Sequence, residues 1–468
     1  MLAHLIRSPG KFDCLKNPTV IALEEFDYTT FHLIALCLLI AAVIHTLSVR
    51  TIHNLARKLE SKYPPIDGQR ERTMCVQALY FLSEVEIIFA IWGIPLFFTM
   101  AWFYGFDTAL GYMNTRDFTE PLFVVIILSL TMSRPIVNTA EKLIHFLARG
   151  LGGTLSAWWF TLLTIGPLLG SLITEAGAMG ISAILLSQQF YEHQPSPKLA
   201  YVTIALLFIN VSIGGLLTNF ASPAVLILAH AWNWSNWEIM QIFGWKAIVG
   251  ILTINLFYWA YFRKEFRRLN AKQVDFLHAH PGKADDGEKI PIWIIAVHLF
   301  FIFTVVMTSH YPAIFIAAYM FFIGFHQSTR HHQSALRLTR PLLVGLFLAG
   351  LVVHGGLQGW WVVRMLSGKT PMEVLGLGIS LTAFSDNAAI AYLSTLIPNW
   401  GALFEYALFT GVVAGGGLTV IANAPNPAGY VILSKHFEGG LSPLRLFLSA
   451  LFPTFILYAI FVYFSDLL

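Results

Sequence analysis

Residues 173–186 read ITEAGAMGISAILL, and residues 214–229 read GGLLTNFASPAVLILA. About 200 residues later the pattern returns, as TAFSDNAAIAYLSTL over 382–396 and GGGLTVIANAPNPAGYVIL over 415–433. In each copy a hydroxyl residue precedes an acid inside an apolar stretch: Thr174-Glu175, then Ser385-Asp386. A glycine-rich stretch follows, then a threonine (Thr218, Thr419) and the motif Asn-x-x-x-Pro-Ala (Asn219 to Ala224, Asn423 to Ala428). Broken apolar segments with polar groups at matched places in two halves point to the binding site of a membrane transporter.

The rest of the chain suits that setting. Hydrophobic residues make up 56% of it and charged residues 12%, where a soluble domain carries about 25% charged residues. Mean hydropathy is +0.66, so the solvent for most of the chain is lipid. Long apolar stretches recur from residue 31 to the C-terminus and leave no room for a large soluble domain. The net charge of +3 is small and gives nucleic-acid binding no support. Cys14, Cys37 and Cys75 have no metal-ligand spacing and suggest no disulfide framework. The first residues lack the order of a signal peptide, because 17–30 are polar and acidic before the first span.

Spans are expected near 31–49, 76–104, 120–140, 199–230, 238–262, 291–309, 313–327, 341–357, 403–434 and 444–465. Two stretches, 154–190 and 372–397, instead have apolar flanks around a polar centre. In the second, each flank is too short to cross a bilayer that needs ~20 residues. Both read as re-entrant helical hairpins, tolerated at membrane depth only where protein or a watery cavity surrounds them. The loops 50–72, 263–290 and 328–340 carry most of the Lys and Arg and are expected in the cytoplasm. Threading the spans between them opens hairpin 154–190 to the cytoplasm and hairpin 372–397 to the outside, the opposed orientation of inverted repeats. Arg364 and Lys369 then fall on the outer side, against the trend. The expected organisation is an N-terminal span with an amphipathic surface helix (1–75, ending at Pro64-Pro65), a first repeat (76–262), a polar cytoplasmic linker (263–290) and a second repeat (291–468).

The chemistry rests first on Glu175 and Asp386. An ionisable group at the bilayer centre is costly and is usually paired, hydrated or functional. The alternative is that each acid caps the half-helix behind it; a cap can still offer its free oxygen to an ion. The breaks come next. Gly214-Gly215, Gly415 to Gly417, Pro223, Pro425 and Pro427 weaken helix and free carbonyls that can hold Na⁺. Glu175, Asp386, Asn219 and Asn423 are the expected Na⁺ ligands. Thr174, Thr218, Ser222, Ser385, Asn387, Thr419 and Asn426 complete the expected ion- or substrate-binding set, since a hard cation favours an all-oxygen shell. Asp386 is expected to outweigh Glu175, because Asn387 adds a ligand where the first copy has Ala176. The acids would repel an anion and suit Na⁺ or H⁺ competing for one carboxylate. Glu84 and Glu86, two apart within the expected span 76–104, would point away from each other on a helix. His298 and His354 read as satisfied bundle histidines, and Arg134, Lys246 and Glu405 as snorkelling residues near span ends.

The stretch LGLGISLTAFSDNAAIAYLSTL (375–396) resembles the hairpin of arsenite and sodium/proton members of the ion-transporter superfamily, which also includes sodium/dicarboxylate symporters. Within that group the chain is similar to a bacterial family of sodium/proton antiporters. The resemblance covers most of 76–465 and is strongest at 163–225 and 374–432. It implies two inverted repeats, each with a re-entrant hairpin and an unwound helix, a site between hairpin tips and breaks, and a homodimer. Dicarboxylate members carry Ser-Asn-Thr at both tips; Glu175 and Asp386 replace neutral groups here and argue against that substrate.

The expectation is therefore an all-α polytopic membrane protein in a bacterial inner membrane. It would exchange Na⁺ for H⁺ by alternating access, with competition at Glu175 and Asp386, no cofactor, the lipid bilayer as its surroundings and no nucleic-acid partner. One alternative is an Na⁺- or H⁺-coupled transporter of an organic or inorganic anion. Another is an intramembrane enzyme, against which stands the lack of HExxH, GxSG-type or di-Asp motifs in the spans, and of a nucleotide loop or CxxCH anywhere.

Overall fold

A computed structural model describes residues 30–62, 74–279, 290–336, 338–366, 368–397, 401–437 and 440–465. These residues form helices, with no strand among them. Among the described residues six stretches are, by length and composition, apolar enough to cross a membrane, or up to eight if each bent pair is one span; one of the six, Leu155–His193, contains a turn. The chain divides into two compact units, 1–117 with 350–358, and 118–349 with 359–468.

In the first unit, helix Thr30–Lys62 runs unbroken through the expected boundary at residue 50. Its 33 residues extend about 50 Å at ~1.5 Å per residue, more than a ~30 Å hydrocarbon core. Residues 50–62 of the expected surface helix continue the helix of the first span; 63–72, with Pro64-Pro65, lie outside the described residues. The expected span 76–104 is interrupted. Helix Met74–Leu82 stops, Glu84 is extended (φ −81°, ψ 114°), and the apolar helix begins at Ile88. Glu84 and Glu86 therefore do not share a helix, and Glu84 is exposed. Tyr112 Oη donates to the Val353 carbonyl at 2.6 Å, and His354 Nε2 lies 3.2 Å from the Phe89 carbonyl.

The second unit holds both polar, broken segments. Leu155–Gln189 is helical on both sides of Thr174, which has φ 64° and ψ 159°. This is where the chain turns back. A Cβ added to Gly166 would overlap Ser182 Oγ, and one on Gly170 would lie 3.3 Å from the Ala178 Cβ. In a straight helix residues 166 and 182 would be about 24 Å apart, so the two arms lie side by side as a hairpin. Thr154 starts the first arm by accepting from Ala157 N at 3.2 Å. The second hairpin comprises Pro371–Phe384 and Asn387–Thr395. It opens on a capping box in which Thr370 and Glu373 satisfy each other's backbone N–H.

Each hairpin is followed by a broken helix. Pro197–Gly214 resumes as Pro223–Ala231, and Ala402–Gly415 resumes as Asn426–Ser434. The glycines before the breaks do more than weaken helix. A Cβ on Gly214 would strike the Pro167 carbonyl, and one on Gly415 would lie 2.9 Å from the Ile379 carbonyl. Bare backbone at these positions lets the helix lie directly on the hairpin arm. The two helices that precede the breaks meet where Ser212 Oγ donates to the Val413 carbonyl at 2.8 Å.

The segment expected as the linker begins as a helix, Arg263–Ala279, packed on its neighbours. Phe266 and Leu269 are buried. Glu265 accepts from Ser196 N and Oγ at 2.7 and 2.9 Å, and Asn270 Oδ1 from Ser156 N at 3.0 Å. Residues 280–289 lie outside the described residues. Lys246 does not snorkel. It is 5% exposed, and its Nζ donates to Tyr406 Oη at 3.0 Å, whose hydroxyl donates to the Phe461 carbonyl at 2.7 Å. His298 is a satisfied bundle histidine, with Nδ1 2.8 Å from the Ile294 carbonyl and Nε2 3.0 Å from Gln333 Oε1.

Candidate functional site

The turn at Thr174 sets the site. With φ at 64°, the backbone enters a region occupied almost only by glycine, and the helix restarts at Glu175. The Glu175 N–H then has no helical acceptor; it donates to the Ala221 carbonyl in the break, at 3.0 Å. The second copy makes the same contact one residue later than the spelling suggests, where Asn387 N donates to the Ala422 carbonyl at 3.0 Å. Thr218 Oγ1 donates to the Ser171 carbonyl at 2.8 Å, and Thr419 Oγ1 to the Ala383 carbonyl at 2.9 Å. Deeper in, Asn210 Nδ2 donates to the Leu163 carbonyl at 2.9 Å, while Gly411 abuts the Leu375 carbonyl. All these pairs share one shift along the hairpins and another along the breaks. By that register Glu175 corresponds to Asn387, and Asp386 to Thr174.

The two acids therefore have different surroundings. Asp386 is the N-cap of Asn387–Thr395 and accepts from Ala388 N at 2.9 Å. Glu175 caps nothing. It is 2% exposed, and its Oε2 accepts from Asn423 Nδ2 at 2.8 Å across from the other copy's break. The Ser222 hydroxyl and the charge of Asp386 also act on it. Ser222 is the N-cap of the helix after the first break and accepts from Val225 N at 3.3 Å. One hairpin tip and both breaks thus converge on Glu175, within reach of the acid at the other tip.

Three buried oxygens here have no hydrogen-bond partner: Glu175 Oε1, Thr174 Oγ1 and Asn423 Oδ1. All can accept, and no Lys, Arg or His pairs with Glu175 among the described residues. Buried polar groups are normally satisfied, so orphaned oxygens beside an unpaired carboxylate suit a hard cation or a proton. Among the described residues no three His, Cys, Asp or Glu side chains gather as a metal site. A monovalent ion held mainly by neutral oxygens needs no such group.

The remaining expected site residues divide. Thr218 and Thr419 are staples, their hydroxyls spent on hairpin carbonyls. Asn426 braces the second break, with Nδ2 donating to the Gly416 and Thr419 carbonyls at 2.8 Å each. Ser385 is half-buried and extended at the end of the first arm. Asn387 is buried, and its Nδ2 would lie 3.2 Å from a Cβ added to Gly416. Asn219 is elsewhere: its N–H donates to Asn236 Oδ1 at 2.8 Å and its Nδ2 to the Trp234 carbonyl at 3.3 Å. The shared Asn-x-x-x-Pro-Ala spelling conceals this. Asn219 precedes the anchoring Ala221, whereas Asn423 follows the anchoring Ala422.

Several residues that matter gave no pattern in the sequence. Asn210 and Asn255 form a buried amide pair at 3.0 Å, and Asn255 also reaches the Leu163 carbonyl and Thr164 Oγ1, each at 2.9 Å. Ser171 Oγ donates to the Gly214 carbonyl at 2.9 Å and accepts from Leu217 N at 3.1 Å. Single polar residues inside apolar helices were the available signal, and it does not tell braces from ligands.

No curated protein matches the chain. A family described as "Putative Na+/H+ antiporter" matches residues 30–464. The match runs through both hairpins and both breaks, and it makes this chain a member of that antiporter family, an integral membrane protein that acts as a secondary transporter.

Proposed function

We propose that the protein exchanges Na⁺ for H⁺, and that Glu175 is the group for which the two compete. The observation that carries this is a buried carboxylate with one amide donor, one orphaned oxygen and no cationic partner. A buried charge must be neutralised or paired, and Na⁺ or a proton can each do that here. Thr174 Oγ1 and Asn423 Oδ1 would complete the Na⁺ shell with the Ser222 hydroxyl. When a proton takes the carboxylate, those neutral oxygens are left without enough charge to hold the ion. Asp386 acts as cap and as a nearby negative charge that favours a cation over an anion.

The matched hairpin and break contacts support reading the two halves as inverted repeats about the Ser212–Val413 crossing. Alternating access would then rock the hairpins while each break stays clipped to its tip. The basic loops assign 263–290 to the cytoplasm. A bacterial inner membrane and a homodimer go with this reading through the family resemblance. The test is pH-gradient dequenching in proteoliposomes with Na⁺, Li⁺ and K⁺ salts in turn, then with candidate anions. Na⁺-dependent proton movement is expected in the wild type and not in Glu175→Gln. Proton movement that follows an anion and ignores Na⁺ would replace this function with anion transport.

A further inference from the structure

A second cluster of titratable side chains lies away from Glu175. The helix after the first break, Pro223–Ala231, begins at the ion site and ends at His230. His230 Nδ1 is hydrogen-bonded to Glu120 Oε1, and its ring centroid is 4.7 Å from that of His310. These groups line a cavity of about 160 Å³ whose wall also includes Asn219, Ser309 and Trp234. At ~30 Å³ per water, that is room for about five waters, or for an ion that keeps part of its hydration shell. The side chains of His230 and Glu120 are 29% and 21% exposed, so the cluster meets solvent. Asn219 lies in the first break, two residues before the carbonyl that holds the Glu175 N–H.

We propose that this cavity is the outer mouth of the cation path, where Glu120 receives a partly hydrated monovalent cation before it reaches the first break. The inference rests on the Na⁺/H⁺ reading and on the outer assignment of these loops. The charged groups are few. Glu120 comes from helix Thr119–Thr131, His230 from the helix after the break, and His310 from the turn between Ile292–Met307 and Pro312–Ser328. Glu238, near the Ser235 rim, is occupied by the Ser235 N–H and hydroxyl at 2.7 Å each. Glu120 is the carboxylate on this wall, so the cavity offers a cation a negatively charged group.

The test measures Na⁺ KM separately from each face of oriented proteoliposomes. Glu120→Gln should raise the outer KM by about fivefold or more, the size of one Coulomb contact across water, and alter the inner KM less. An outer KM equal to wild type in Glu120→Gln would overturn the inference and leave the Na⁺/H⁺ reading standing. A second arm needs no transport. In Ser309→Cys, a cationic thiosulfonate should label faster from outside than a neutral one, and Na⁺ should slow it. Both effects should be lost when Glu120→Gln is added. Should the wild type show no Na⁺-dependent proton movement, the function fails, and this labelling alone decides the cavity: equal rates for both reagents and no effect of Na⁺ would overturn it.

Discussion

Replacing Asn423 by alanine separates the two cargo states of Glu175. The amide donates to Glu175 Oε2 at 2.8 Å. A hydrogen bond to an ionised group contributes about 1.5–3 kcal/mol, and one to a neutral group about 0.5–1.5 kcal/mol. The carboxylate is ionised when it holds Na⁺ and neutral when it holds a proton. Asn423→Ala therefore weakens the Na⁺-bound state by roughly 1–1.5 kcal/mol more than the protonated one. That difference is about tenfold in Na⁺ affinity at fixed pH, or about one unit of pH in the competition. The sign follows: with the donor gone, the proton competes better, so half-maximal Na⁺-driven exchange moves to higher pH. Loss of the Asn423 Oδ1 ligand adds to the rise in Na⁺ KM. The assay is Na⁺-driven dequenching over a series of pH values, on protein shown to be monodisperse. An Asn423→Ala profile that overlays wild type within twofold in KM, with no alkaline displacement, would refute the assignment of Glu175 as the shared site.

Asp386→Ala should lower stability by about 0.5–2 kcal/mol through loss of the cap, read by thermal unfolding in detergent. Asp386→Asn, which keeps an acceptor for Ala388 N, should retain proton-coupled Na⁺ transport; abolished coupling in a folded Asp386→Asn protein would move the proton carrier to Asp386. Thr174→Gly removes a strain of about 1–3 kcal/mol, partly offset by about 0.5–1 kcal/mol of glycine entropy. It should unfold at a higher temperature while binding Na⁺ more weakly, and a lower unfolding temperature would contradict the strained turn. Gly214→Ala drives a Cβ onto the Pro167 carbonyl and should destabilise by about 1–3 kcal/mol. Gly180→Ala meets nothing within 4 Å and should stabilise by about 0.5–1 kcal/mol; equal shifts in the two variants would show that the arm and helix do not touch.

The sequence by itself determined the solvent, the fold class and the places where helices fail. These are local or additive properties. Apolar runs make spans, and Pro223, Pro425 and Pro427 fall where helices restart, at positions that need no helical N–H. Thr174-Glu175 and Ser385-Asp386 mark the tips for the same reason: polar groups at the centre of an apolar stretch need a turn, a partner or water. Tertiary structure decided which of these polar groups share a site. The register between tip and break hangs on the Glu175–Ala221 and Asn387–Ala422 backbone bonds, which join residues far apart in the chain and involve atoms that every residue has. Side-chain spelling carries no record of them, so the two acids look equivalent in the sequence and are not in the fold. Asn423 bonds the carboxylate and Asn219 bonds the Trp234 carbonyl, although both open the same motif. Glu120, His230 and His310 are further from any pattern, because two helices and a turn must pack before they share a cavity. Helix formation is settled within a few turns of chain; a binding site is settled by which turns come to lie against each other.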